Sequence, residues 1–410
     1  MVFKSEVLKE LFARGFIKDC SDFDALDSFF LSGSKITLYF GADATAPSLH
    51  IGNLIGLMMA RVFKKYGHNI IMLFGGATTK IGDPSFRSKD RESLNSDQIE
   101  LNICKIKKTV EFIMDSESIN SENNGNIIYV NNLDWLGNVG YLDFLSTVGN
   151  NFLVNQMLSL DSMKNRSQSL TFSELNYMIL QAYDFYYLHK NHSCMLQIGG
   201  SDQWGNMIQG VNLIGKTDPD SKVFVLTSNL LTKSDGSKMG KSENGAIWLS
   251  SEFLSDVEYY QYWRNIEDEM VKSCLLKFSD LQVDEVNNLD ISSDNNMNDA
   301  KKILAFEATK ICRGSLNASN VVNLLNGKIE TLDSTSCYEI NFNNSLFSAF
   351  LSLEWCSSKA EFKRLIDGRA VAIDGELVVD YNYKFENHSE DCFIMSCGKK
   401  KKIIAKVIKK

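Results

Sequence analysis

Apolar and polar positions between Lys35 and Phe74 fall into three successive patterns. Ile36-Thr37-Leu38-Tyr39-Phe40 is a short run rich in β-branched and aromatic residues, which predicts a strand. A polar turn follows from Gly41 to Ser48 and contains Pro47. From Leu49 to Tyr66 the apolar positions are Ile51, Leu54, Ile55, Met58, Met59, Val62 and Phe63, a stripe with helical spacing. Asn69 to Phe74 then reads as a buried strand. Strand, helix and strand at this length make a βαβ unit. A second unit has the same plan. Cys194 to Ile198 is a strand and Gly199-Gly200-Ser201 a tight turn, with Ser201 expected as N-cap. Asp202 to Lys216 is helical, and Val223 to Leu226 is the next strand.

Two such halves predict an α/β fold with a Rossmann-like, doubly wound parallel sheet, whose ligands sit at the carboxyl ends of the strands. The region between the halves, about 95–190, reads as a helical insertion rich in aromatic residues. At the N-terminus, Val7, Leu8, Leu11 and Phe12 mark an amphipathic helix. Beyond Ser250 the pattern changes. Phe253 to Phe278 and Ala300 to about Asn326 read as helices, separated by an acidic, Asn-rich loop from Asp290 to Asp299. Asn341 to Asn344 reads as a linker and Ser345 as the start of a small α+β module. The expected domains are therefore 1–250, 251–330 and 345–410.

Composition narrows the class. Of 410 residues, 44% are hydrophobic and 23% charged, which argues against wholesale disorder. The nine cysteines include no C-x-x-C pair, so zinc fingers and a disulfide framework are disfavoured and a reduced, cytoplasmic setting is expected. No run has the length of a signal peptide or a membrane span. The net charge of −8 disfavours a protein whose whole surface grips nucleic acid. That figure averages two unlike parts: residues 345–410 carry +3 and the rest −11.

Three groups of residues carry candidate chemistry. His50 and Asn53 lie three apart on the first turn of a helix that leaves a parallel strand. There the helix dipole and free backbone N–H groups favour an anion, and Gly52 allows close approach. A lone histidine at a helix start more often merely caps or packs; the Asn53 partner and the strand–loop–helix setting favour a phosphate site. Lys238 and Lys241, in the segment Leu231 to Ser242 whose glycines and serines predict a mobile loop, are flexible point charges suited to a polyphosphate. Tyr177, Gln181 and Asp184 lie at i, i+4 and i+7, one helical face bearing a phenol, an amide and a carboxylate. A carboxylate buried on such a face needs a partner.

Together these segments resemble the signature pair of the class I aminoacyl-tRNA synthetases. His50-Ile51-Gly52-Asn53 resembles the HIGH motif and Lys238-Met239-Gly240-Lys241-Ser242 the KMSKS motif. Gly75-Gly76-Ala77-Thr78 through Gly82-Asp83-Pro84-Ser85, Tyr177 to Phe185, and Gln197 to Asn206 further resemble the bacterial tyrosyl branch, over nearly the whole chain. Ser358 to Gly375 resembles an S4 RNA-binding domain.

The resemblance implies a tyrosine–tRNA ligase that uses ATP with Mg²⁺, binds L-tyrosine and tRNA(Tyr), works as a homodimer through the insertion, holds no resident metal and needs no membrane. It implies Asp184 and Tyr39 on the substrate's phenolic hydroxyl, and Tyr177, Gln181 and Asp83 on its ammonium group, with Gln203 near its carboxylate. A site built around a hydroxyl rejects phenylalanine, an effect for which enzymes of this family are the standard example. It implies His50, Asn53, Lys238, Lys241, Arg87 and Arg91 in catalysis. Gly41, Asp43, Gly52, Gly200, Asp202 and Ser242 join His50, Asn53, Lys238 and Lys241 at ATP, and Lys359, Lys363, Arg364 and Arg369 meet RNA. Four positions depart from the family pattern: Phe40 for a cysteine, Ala44 for a proline, Asn53 for the second histidine and Gly240 for a serine. The last is expected to make its loop more mobile. A tryptophan-specific relative and a nucleotidyltransferase of the same superfamily are the alternatives.

Overall fold

The computed structural model describes residues 2–83, 94–115, 124–160, 170–232, 236, 239–242, 245–326, 338–341, 344–373, 376–385, 392–398 and 401–408. Two compact units emerge: Met1–Leu254 with Ile266–Leu304, and Ser255–Asn265 with Ala305–Lys410.

The first unit is built on a six-stranded sheet. Its strands are β1 (Ile17–Cys20), β2 (Thr37–Ala42), β3 (Asn69–Phe74), β4 (Ile127–Asn131), β5 (Cys194–Gly200) and β6 (Phe224–Ser228). They run in the order β1-β6-β5-β2-β3-β4. All neighbours are parallel except β1, which pairs antiparallel with β6. The helices are α1 (Glu6–Ala13), α2 (Phe23–Leu31), α3 (Ile51–Lys65), α4 (Thr78–Ile81), α5 (Ser96–Met114), α6 (Leu133–Leu136), α7 (Tyr141–Thr147), α8 (Val154–Leu158), α9 (Phe172–His192) and α10 (Trp204–Thr217). A two-stranded ribbon, β7 (Lys241–Ser242) with β8 (Gly245–Ala246), follows.

The expected doubly wound sheet is present. One expectation for this unit is corrected, and two strands join the expected sheet. The insertion is mostly helical, and β4 lies inside it and extends the sheet beyond β3. The polar strand β1 adds the other edge. Ser201 does not cap α10: Ser201–Gln203 is a 3₁₀ turn, and the helix starts at Trp204 without a side-chain cap.

Helix α3 is fixed along its length. Its predicted stripe is buried against the sheet. Gly56 is required by close approach, since a Cβ there would lie 2.3 Å from the ring of Phe40. At the far end Arg61, 2% exposed, donates to the Ile113 carbonyl and to Asp280 Oδ1 at 2.6 Å. A cation can be buried here because it is paired and hydrogen-bonded. Helix α9 starts at a capping box: Thr171 Oγ1 accepts from Glu174 N–H at 3.2 Å and Thr171 N–H donates to Glu174 Oε2 at 2.9 Å. Such a cap is worth about 1 kcal/mol. Phe185 and Leu188 of α9 pack with Met207 and Ile214 of α10 on the sheet.

Helices α11 (Asp256–Arg264), α12 (Asp268–Phe278), α13 (Val283–Asn287), α14 (Asp294–Arg313) and α15 (Ser315–Leu325) follow. Helix α14 takes in Asp294 to Asp299, which the acidic composition assigns to a loop. The last part of the chain forms β9 (Tyr338–Asn341), α16 (Leu346–Ser352), α17 (Lys359–Asp367), β10 (Val371–Ile373), β11 (Glu376–Leu377), β12 (Cys392–Cys397) and β13 (Lys401–Ile408). The sheet order is β11-β10-β12-β13-β9, with β9 parallel to β13. Phe350, Phe362, Phe385 and Phe393 fill its core. The sheet therefore recruits Tyr338 to Asn341, upstream of the Ser345 start expected for this module. Asn341, expected as linker, is its last paired residue.

Candidate active site

At the carboxyl ends of β2 and β5 lies a cavity of about 640 Å³. Its walls bring together Tyr39, Gly41, Asp43, His50, Asn53, Asp83, Tyr177, Gln181, Asp184, Gly200, Asp202 and Gln203, residues drawn from five separate stretches of sequence. A second cavity of about 160 Å³ beside it is lined by Phe40, His50, Gly52, Gly56, Gly200 and Asp202, among others. Phe40, which supplies no hydrogen bond, is an apolar wall shared by both cavities.

Asp184 is 2% exposed. Its Oδ1 accepts from Trp135 Nε1 at 2.8 Å and its Oδ2 from Asn132 Nδ2 at 3.0 Å. Trp135 is itself held flat against Tyr187, with ring centroids 4.4 Å apart. Burial pushes the Asp184 carboxyl up to about 7, against the pull of the two donors, and the nearby Asp43 charge adds to the rise. Tyr39 is also buried, and its hydroxyl has no partner among the described residues. Burial, and then the Asp184 charge, hold its phenol well above the ordinary range, so it remains a donor. An unpaired buried hydroxyl costs about 1–3 kcal/mol, and this one lines the same cavity as Asp184.

A second set of polar groups lies on the same cavity. Tyr177 OH donates to Asp43 Oδ2 at 3.0 Å, and Thr78 Oγ1 donates to Asp43 Oδ1 at 2.8 Å. Gln203 Nε2 donates to Asp83 Oδ2 at 2.8 Å, and Asn206 Nδ2 lies 3.0 Å from Gln181 Oε1. Asp43, Asp83 and Asp184 give this cavity three carboxyl groups, which favours a cationic ligand group.

The start of α3 differs from expectation. His50 Nδ1 accepts from Gly52 N–H at 3.0 Å, Asn53 Oδ1 accepts from His50 N–H at 3.2 Å, and Asn53 N–H reaches the His50 carbonyl at 2.9 Å. Ile51 N–H donates to the Ile247 carbonyl at 3.0 Å. The N–H groups of the first turn are thus engaged, which corrects the expected cradle of free amides. The helix dipole and the side chains remain. With Nδ1 accepting, the proton of a neutral His50 ring sits on Nε2.

Gly240 and Ile247 lie against this turn. Met239 N–H donates to the Leu231 carbonyl at 2.8 Å and Ile247 N–H to the Gly240 carbonyl at 2.9 Å. Gly240 adopts φ +94°, and a Cβ there would lie 3.0 Å from Ile51 Cγ1. Glycine at this position therefore permits a positive φ and a close approach to Ile51 that a side chain would strain.

Arg87, Arg91 and Lys238 lie outside the described residues, and Lys241 and Ser242 are described by backbone alone. Lys359, Lys363, Arg364 and Arg369 are exposed residues of the second unit, and the cavity is lined by residues of the first. Arg369 takes a left-handed φ of 53°, costly for a residue with a Cβ. Two residues around Asp184, Asn132 and Trp135, have no place in the expectations from sequence, and Thr78 falls in a family-like stretch without a role of its own.

Residues 31–326 match the family described as tRNA synthetases class I (W and Y). The chain belongs to this family of class I tRNA synthetases. It is 42% identical to the tyrosine–tRNA ligase of Wolbachia pipientis subsp. Culex pipiens, over 98% of each chain. It is 41% identical to the tyrosine–tRNA ligase of Pelagibacter ubique, over 98% of this chain and 100% of the relative. Among solved structures it resembles a C-terminally truncated mitochondrial tyrosyl-tRNA synthetase from Aspergillus nidulans, with a TM-score of 0.69 and 28% identity over 78% of this chain and 92% of that one.

Proposed function

We propose that the chain activates L-tyrosine with ATP and transfers it to tRNA(Tyr). One observation carries the choice of amino acid: the buried Asp184 carboxylate and the unpartnered Tyr39 hydroxyl line one cavity. A phenolic hydroxyl completes both, donating to Asp184 and accepting from Tyr39. Phenylalanine leaves the Tyr39 hydroxyl without an acceptor and gives Asp184 no third donor, and the indole of tryptophan has no oxygen to accept from Tyr39.

Tyr177, Gln181 and Asp83 hold the ammonium group, which brings the carboxylate towards Gln203. That carboxylate is ionised at neutral pH and attacks the α-phosphate of ATP without a general base; pyrophosphate leaves. A terminal ribose hydroxyl of the tRNA then attacks the mixed anhydride. Catalysis is positioning together with stabilisation of charge on the phosphates. His50, through Nε2–H, and Asn53 face one side of the phosphates; Lys238, Lys241, Arg87 and Arg91 serve the other. Gly41, Asp43, Gly52, Gly200, Asp202 and Ser242 complete the nucleotide site. Mg²⁺ enters as part of the ATP substrate, neutralising phosphate charge. Among the described residues no cluster of three His, Cys, Asp or Glu side chains forms a cage for it. The exposed basic residues of α17 and Arg369 bind the RNA. The insertion leaves Tyr141, Leu142, Leu153, Val154 and Phe172 more than half exposed, which supports pairing of two copies through it.

ATP–pyrophosphate exchange measured with each of the twenty amino acids tests this reading. Exchange should depend on tyrosine, and sedimentation of the same protein should report a dimer. Exchange driven by tryptophan, or by none of the twenty, overturns the assignment; a monomer overturns the pairing alone.

The Gly240→Ser variant should lower the activation rate about tenfold at unchanged tyrosine affinity, because the new side chain is strained at φ +94°. A wild-type rate in that variant would remove the loop contact from the mechanism.

A further inference from the structure

Two carboxylates of the cavity, Asp184 and Asp43, are linked by one chain of hydrogen bonds. Asn132 is fully buried and its amide is committed in three directions. Its Oδ1 accepts from Ala77 N–H at 2.8 Å, and its Nδ2 donates to Asp184 Oδ2 at 3.0 Å and to Thr78 Oγ1 at 3.0 Å. Because Thr78 Oγ1 accepts from Asn132, its own proton points to Asp43 Oδ1, 2.8 Å away. Tyr177 closes the chain by donating to the other oxygen of Asp43 at 3.0 Å. Each side-chain proton of Asn132, Thr78 and Tyr177 along the path has an assigned acceptor, so none of the three can turn over without losing one. Thr78 is 3% exposed and lines the same cavity as Asp184, Asp43 and Tyr177.

We propose that Thr78 is a positioning residue for amino-acid selection: through Asn132 it fixes the orientation of the Asp184 carboxylate, and through Asp43 it fixes the Tyr177 hydroxyl. This inference rests on the tyrosine reading of the cavity. The hydroxyl of Thr78, rather than its bulk, carries the role. Removing it leaves one buried N–H of Asn132 without its acceptor and takes one donor away from Asp43. Asn132 then has reason to rotate, and the carboxylate that tests for a phenolic hydroxyl loses its fixed direction.

The test compares Thr78→Val, which keeps shape and loses the hydroxyl, with Thr78→Ser, which keeps the hydroxyl, by pyrophosphate exchange with tyrosine and with phenylalanine. The ratio of the two kcat/KM values is independent of how much of each preparation is folded. In Thr78→Val the KM for tyrosine should rise about tenfold, and the preference for tyrosine over phenylalanine should fall about tenfold. Thr78→Ser should stay within about twofold of wild type on both measures. The double variant Thr78→Val/Asn132→Ala should lose no more discrimination than Asn132→Ala alone, because both act through one path. Additive losses, an unchanged ratio in Thr78→Val, or a Thr78→Ser as impaired as Thr78→Val would each overturn the proposal. Wild-type exchange that does not depend on tyrosine would instead overturn the reading beneath it.

Discussion

Asp184→Ala is expected to lower tyrosine-dependent exchange by about a thousandfold or more, while ATP still binds. The substitution removes a charge-assisted acceptor for the substrate phenol, worth about 1.5–3 kcal/mol. It also leaves Trp135 Nε1–H and Asn132 Nδ2–H buried without an acceptor, at about 1–3 kcal/mol each. At about 1.4 kcal/mol per tenfold, those terms together span roughly 2.5 to 6 decades, with a midpoint above three. Asp184→Asn tests the same point with less change of shape, because an amide NH₂ must face one of the two existing donors. Tyrosine-specific exchange preserved in either variant would remove Asp184 from the site. The pH dependence follows from the same carboxyl. Its raised pKa, about 7, means that it is protonated below that pH and so holds a proton where the substrate's phenol must donate. The kcat/KM for tyrosine should therefore climb with pH up to about 7, then level off. Of the groups around Asp184, Asn132 and Trp135 do not titrate, Asp43 is held by two donors, and the Tyr39 and Tyr177 phenols are pushed well above this range by burial. A flat profile between pH 5 and 8 would contradict the assignment.

The second large effect concerns RNA. Replacing Lys359, Lys363, Arg364 and Arg369 together by alanine should weaken tRNA binding about a hundredfold near physiological salt. The plot of log affinity against log salt should become shallower by about 3–4, one released counterion for each lost phosphate contact. Tyrosine-dependent exchange should stay at wild-type level, since all four residues belong to the second unit. An unchanged salt slope would show that this face meets no phosphate. A loss of exchange as large as the loss of charging would show that the face is not separable from the first unit's chemistry.

What could be read from the residues, and what could not, follows physical lines. Helix α3 and the face of α9 that bears Tyr177, Gln181 and Asp184 were legible because helical spacing is a local property. Strands β2, β3, β5 and β6 were legible because buried parallel strands are continuous apolar runs. Strand β1, with Lys18 and Asp19 exposed at its centre, carries no such run; only its pairing with β6 makes it a strand. Strand β4 was hidden by its position between helices. The same displacement concealed Asn132 and Trp135. They sit just past β4, and the β3–β4 pairing brings them under Asp184, with Asn132 N–H tied to the Phe74 carbonyl at 3.0 Å. Strand β9 was unreadable for a similar reason, since its partner β13 comes from the far end of the module. Ser201 shows the opposite failure: a good capping residue in sequence is a weak signal when a 3₁₀ turn intervenes.

The register of the central sheet has a kinetic consequence. Tyr39 of β2 stands opposite Gln197 of β5, and everything between them in sequence must fold or be looped out before they meet. Pairings such as β2–β3 close over a short helix; the β2–β5 pairing carries the loop entropy of the whole insertion and is among the slowest to form. The cavity straddles that seam, with residues of both strands in its wall. A ligand of the cavity binds only chains in which the seam is shut. By mass action it adds its binding free energy to the one junction of the sheet that the chain itself is slowest to make.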